Sequence, residues 1–195
     1  MKKLSTYLFL LFFSFQAPSW ADDISDFQIE GMSIGDSLLD YYSETEIKNW
    51  HKTYYEKSKK FIKIDTPRLS GKMYDVYAFH IKDNDSKYII YDISGGKYFG
   101  RNNVKDCKNF KDKVVKDLIL VFKNIKPNSY EYIYDTIEDG KSIAHITDFD
   151  FSSGSIRVWC VDWSKVTEEN TNWEDNVSVN ISSMEFLDWL NNESR

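Results

Sequence analysis

Ile156-Arg157-Val158-Trp159-Cys160-Val161-Asp162-Trp163 carries the clearest period in the chain. Ile156, Val158 and Cys160 fall on one side of an extended backbone, and Arg157, Trp159, Val161 and Trp163 fall on the other. That two-residue alternation is the signature of a strand buried on one face. Phe151-Ser152-Ser153-Gly154 just before it reads as a turn, and Ser142 to Phe151 reads as the preceding strand. Asp139-Gly140, a strong hairpin dipeptide, links that strand to the run from Tyr130 to Thr136. Three runs joined by short turns make an antiparallel meander.

Working outward, Asn103 opens an amphipathic helix with Val104, Cys107, Phe110, Val114, Leu118, Val121 and Phe122 on one stripe, ending near Asn124 before Pro127. Phe61 to Ile64, Tyr74 to Lys82 and Tyr88 to Ile93 are β-branched and aromatic runs, punctuated by Pro67, Gly71, Asp83-Asn84-Asp85 and Gly95-Gly96. Val177 to Ile181 gives a last strand, and Ser183 caps a terminal helix bearing Phe186, Leu187 and Leu190. Near the start, Ser33 with Asp36 and Ser43 with Glu46 both have capping-box spacing. They predict two helices, the second running through Trp50 to Tyr55. Strands in hairpin groups interrupted by helices predict an α+β fold. An antiparallel sheet would pack against N-terminal helices, one central amphipathic helix and a short C-terminal helix.

Composition narrows the function. The 195 residues carry 31 acidic against 25 basic side chains and are 16% aromatic, too rich in large apolar groups for a disordered chain. Acid excess argues against a partner that presents phosphates, so neither nucleic acid nor an anionic membrane surface is expected. Lys2-Lys3, the apolar run Leu4 to Phe15 and Ser19-Trp20-Ala21 have the order of a bacterial export signal cleaved after Ala21. This leaves 22–195 as a single α+β domain of the periplasm or exterior, with no membrane span in the mature form. Loss of two lysines takes its net charge from −6 to −8. Cys107 and Cys160, the only cysteines, are expected to form a disulfide in that oxidising compartment.

Several short motifs bear on chemistry. Gly31-x-Ser33-x-Gly35 fits a nucleophile elbow, and Gly35-Asp36-Ser37-Leu38 resembles the GDSL family of esterases and lipases. The resemblance implies Ser37 as nucleophile. It also implies a histidine in a D-x-x-H block, yet Lys48, Tyr77 and Ser142 stand three residues before His51, His80 and His145. The competing reading makes Ser33 a helix cap between two turn glycines. His145, Asp148 and Asp150 hold metal-type donors, but strand alternation turns His145 away from the two acids. Asp83-Asn84-Asp85 lacks the glycine and glutamate of a calcium loop, and Ser94-Gly95-Gly96-Lys97 lacks phosphate-loop spacing, so it reads as a hairpin or bulge. No metal or other cofactor is implied. Tyr130, Tyr132 and Tyr134 alternate along one strand and would line one sheet face as a binding surface.

The segment Phe27 to Leu38, containing Gly31-Met32-Ser33-Ile34-Gly35-Asp36-Ser37-Leu38, together with Phe186-Leu187-Asp188-Trp189-Leu190, resembles a group of small, uncharacterised exported bacterial proteins. More loosely, the Gly-Met-Ser turn after an export signal is similar to the start of BamE-like and beta-lactamase-inhibitor-like domains, which implies protein binding by helices on an antiparallel sheet. The expectation is therefore a non-enzymatic binding or interaction protein of the cell envelope, an envelope factor, inhibitor or immunity-like domain with a protein or glycan partner. A GDSL-type esterase using Ser37 and a glycan-binding module are the alternatives.

Overall fold

The computed structural model describes residues 23–69, 72–137 and 139–194. The expected export signal, residues 1–21, lies outside the described residues. Eight strands follow one another as β1 (His51–Tyr54), β2 (Phe61–Asp65), β3 (Val76–Lys82), β4 (Asp92–Gly100), β5 (Asn128–Ile133), β6 (Ile143–Phe151), β7 (Gly154–Asp162) and β8 (Asp175–Ser183). They form one open sheet in the order β1-β2-β3-β4-β8-β7-β6-β5, with every neighbouring pair antiparallel. The helices are α1 (Glu44–Asn49), α2 (Val104–Val121), α3 (Lys165–Asn170) and α4 (Met184–Asn192). An antiparallel sheet with helices is the α+β class expected from the strand periods.

The register makes two chemically different faces. On the first, Ile156, Val158, Val177, Val179, Ile181 and Ile93 are fully buried, and each such side chain contributes roughly 1.5–3 kcal/mol by leaving water. Cys107 and Leu118 of α2 join the same cluster, as do Ile24, Ile29, Met32, Leu38 and Ile47 from the N-terminal segment. Cys107 and Cys160 are disulfide-bonded across α2 and β7, with Cα atoms 5.8 Å apart, as the cysteine count suggested.

Several local expectations fail for identifiable reasons. Ser33 does not cap a helix: it is buried beside a tight hairpin in which Ile29 and Met32 exchange both backbone hydrogen bonds around Glu30 (φ 49°) and Gly31 (φ 87°). Two consecutive positive φ values are what a type I′ turn demands, and glycine supplies the second without strain. The cap is Ser37 instead, whose Oγ accepts from Leu39 N–H at 3.1 Å and opens only a 3-10 turn, Leu38–Asp40.

The Ser43–Glu46 capping box forms as expected, yet α1 stops at Asn49. Trp50 leaves the helix to stack on Phe79 at 6.2 Å and to meet Tyr42 edge-on at 4.7 Å, and His51 to Tyr54 then pair with β2. Tertiary packing overrides the helical spacing of the apolar residues. Gly95-Gly96 is the middle of β4, paired on both sides, not a hairpin or bulge. A Cβ on Gly95 would meet the Tyr74 ring at 2.7 Å, so the ring occupies the space a side chain would take. Finally, α3 was not anticipated, although Ser164 caps it by accepting from Thr167 N–H. The β5–β6 connection is also wider than a two-residue turn, closing where Tyr134 N–H donates to the Ser142 carbonyl.

Candidate functional site

The second sheet face is built from rows of side chains set by the register. One row runs His80, Asp92, Ser182, Ser155, Asp150 across β3, β4, β8, β7 and β6. The next runs Ser94, Asn180, Arg157, Asp148. Beside these polar rows lies Ser178, Trp159, Ile146, Tyr130, and then Tyr98, Asn176, Val161, Ala144, Tyr132. Polar character thus gives way to aromatic character across the face.

Helix α4 covers one part of this face. Phe186 packs on the His80 ring at 4.4 Å, and Trp189 reaches Phe61 at 5.0 Å and donates its indole N–H to Ser58 Oγ. Between α4 and β5 lies a groove of about 900 Å³, within the size range of ligand sites. Its floor holds the polar rows, and Tyr130, Tyr132, Tyr134 and Trp159 line it.

At the α4 end, Tyr55 Oη lies 2.7 Å from His80 Nε2, and His80 Nδ1 lies 2.7 Å from Asp92 Oδ1. Asp92 is 2% exposed, and its other oxygen accepts from Asn180 Nδ2 at 2.7 Å and Ser182 Oγ at 2.5 Å. Burial, with the charges of Asp92 and Asp65, pushes the Tyr55 phenol up to about 12. Tyr55 and Asp92 thus engage both ring nitrogens of His80 and fix the ring's orientation. Every member of this chain is engaged by another, as a buried polar network requires.

At the β5 end, Asp148 accepts a bidentate pair from Arg157 Nε at 2.7 Å and an Arg157 terminal nitrogen at 2.9 Å, plus Tyr130 Oη–H at 3.1 Å. The Asp148 hydrogen bond raises the Arg157 guanidinium further above its usual range, although burial opposes this. Burial pushes the Tyr130 phenol up; Arg157 pulls it down, and Asp148 and Asp150 add to the rise. Arg157 is therefore already paired with a carboxylate, whereas Asp150 and Asp188 of the lining are solvent-exposed. The electrostatic character of the groove is neutral to acidic.

The residues singled out from sequence separate cleanly. Tyr130, Tyr132 and Tyr134 do come together on one wall of the groove. Ser37 lies elsewhere: its Oγ donates to the Lys87 carbonyl at 2.6 Å and accepts from Leu39 N–H. Among the described residues the hydrogen-bonded side-chain partners of the histidines are Thr53 for His51, Tyr55 and Asp92 for His80, and Glu131 for His145. Ser33 Oγ donates to the Phe27 carbonyl. His145 faces away from Asp148, as alternation requires, and Asp85 of the Asp83-Asn84-Asp85 segment accepts from Lys87 and Ile89 N–H as a turn residue. Lys97 Nζ donates to the Met73 carbonyl. Among the described residues no group of three His, Cys, Asp or Glu side chains is placed to hold a metal ion.

Tyr55, His80, Asp92, Asn180 and Ser182 were not anticipated. His80 and Asp92 are twelve positions apart, and only the β3–β4 register sets them opposite one another. No protein-family model, curated protein or solved structure matches the chain.

Proposed function

We propose that the chain is an exported, non-catalytic binding protein whose second sheet face holds a neutral, hydroxyl-rich saccharide of the cell envelope. The observation that carries this is the juxtaposition of two polar rows with aromatic rows inside one open groove. A sugar ring has an apolar C–H face that packs on an aromatic ring and an equatorial rim of hydroxyls that needs donors and acceptors. Tyr132 and Trp159 supply the first, and Ser94, Ser155 and Asp150 supply the second. Pairing of the Arg157 charge with Asp148, with Asp150 and Asp188 exposed, disfavours an anionic polymer and suits a neutral ligand.

Binding is favoured over catalysis by the bonding of the polar network itself. Ser182 Oγ donates to Asp92 and not to His80, and the His80 Nε2 that a nucleophile would need is occupied by Tyr55. The arrangement holds the floor rigid. Titration of the purified protein with neutral N-acetylglucosamine oligomers, followed by tryptophan fluorescence and calorimetry, tests the reading. Saturable binding that Tyr132→Ala weakens about tenfold, with a polyuronate failing to compete, is the expected result. Absence of saturable binding, or equal binding by Tyr132→Ala, overturns it.

A further inference from the structure

The aromatic surface does not end at the groove. Tyr132 meets Tyr134 edge-on at 5.1 Å, Tyr134 lies against Trp163 at 5.2 Å, and Trp163 lies against Trp173 at 4.5 Å. Trp163 and Trp173 belong to a second cavity of about 340 Å³ on the same sheet face, whose other walls are Arg68, Val76, Tyr98 and Asn176. The Tyr98, Asn176, Val161, Ala144, Tyr132 row runs from this cavity to the groove across five strands. Four strand spacings separate Tyr98 from Tyr132, or about 19 Å, longer than any monosaccharide.

The chemistry of the second cavity matches that of the groove. Arg68 has its guanidinium over the Tyr98 ring at 4.8 Å and its charge faces Glu174 at 3.8 Å, so this cation of the lining is already engaged. Asn172 and Asn176 contribute amides, and Trp173 is 44% exposed, leaving ring surface for a ligand. The Trp163 indole N–H is shielded from solvent and finds no acceptor among the described residues, so ring contacts, not a hydrogen bond, hold it between Tyr134 and Trp173.

We infer that this cavity is a second subsite for the same ligand, so that the protein takes an extended, neutral oligosaccharide chain rather than a single sugar or a chain end. The inference rests on the saccharide reading of the groove and adds to it a direction: the chain crosses the strands from Tyr132 toward Trp173.

A length series of N-acetylglucosamine oligomers, from the monomer to the hexamer, against the wild type, Trp173→Ala and Tyr132→Ala separates the two claims. For the wild type, affinity rises with length until both subsites are filled. Trp173→Ala, a change at an exposed ring with thermal unfolding as a check on the fold, leaves the shortest oligomers unaffected and weakens the longest roughly three- to tenfold. Tyr132→Ala weakens every length. If affinity is independent of length, or if Trp173→Ala matches the wild type on the hexamer, the second subsite is refuted while the groove reading stands. If no oligomer of any length binds the wild type, both fall.

Discussion

Replacing both Cys107 and Cys160 with alanine removes a bond that closes a loop spanning 53 positions. In the chain-entropy treatment, a closed loop of that size costs the unfolded ensemble about 14 cal/mol/K, equivalent to about 4 kcal/mol at 25 °C. The loop contains most of α2, all of β5 and β6 and most of β7, so it ties the aromatic wall of the groove to the central helix. Urea unfolding monitored by tryptophan fluorescence measures the effect. With a slope of about 2 kcal/mol per molar, the midpoint falls by about 2 M. Both cysteines are fully buried, so a mild reductant added to the native protein should release thiol only as fast as the protein opens. A stability loss below about 1 kcal/mol, or rapid thiol release from the fully native protein, refutes the reasoning.

Three further outcomes follow from the geometry. Gly154→Ala drives a methyl group into the Ser182 backbone carbonyl, which a paired strand cannot move, and thermal unfolding should register a loss of about 3 kcal/mol. Asp92→Asn replaces an all-acceptor carboxylate with an amide whose NH2 group must face a neighbouring donor among His80, Asn180 and Ser182. Denaturant titration should show about 1–3 kcal/mol lost, with the fold otherwise retained by circular dichroism. Burial pushes the Asp175 carboxyl up to about 6, against the pull of Trp163 and Asn103 N–H, and Glu168 and Asp162 add to the rise. A folded-state value above the unfolded one near 3.8 favours folding of the protonated form. This contribution, about 3 kcal/mol in all, is complete below pH 4 and lost as pH rises through 6. Unfolding measured from pH 3.5 to 7 should show that decline, and Asp175→Asn should flatten it.

What was legible in the sequence depended on how far each signal reaches along the chain. The alternation of Ile156, Val158 and Cys160, the apolar stripe of α2 apart from the exposed Val121, and the Ser183 cap are local, and the structure places them as their periods imply. Trp50 to Tyr54 misled because a helical spacing of apolar residues satisfies a strand equally well once Phe79 offers a stacking partner. Gly95 and Gly96 look like a turn until Tyr74 and Val76 are known to lie over them. The tyrosine wall was readable from β5 alone, but the polar rows it borders were not. His80, Asp92, Ser182 and Arg157 sit on four strands, and a one-residue slip between any two would scatter them to opposite faces.

The position of β5 at the sheet edge has a dynamic consequence. Among the described residues its backbone pairs with β6 alone, and all six of its residues are exposed. A strand held from one side opens at a small fraction of the free energy needed to unfold the whole sheet, so amide exchange over 128–133 should outpace that over β7 and β8. The wall of the proposed groove is thus hinged to an edge ladder, while its floor belongs to strands paired on both sides. A chain bridging the two would act as a staple, slowing exchange in β5 far more than anywhere else, and the gap between α4 and the tyrosines can adjust to ligands of different thickness without disturbing the buried side of the sheet.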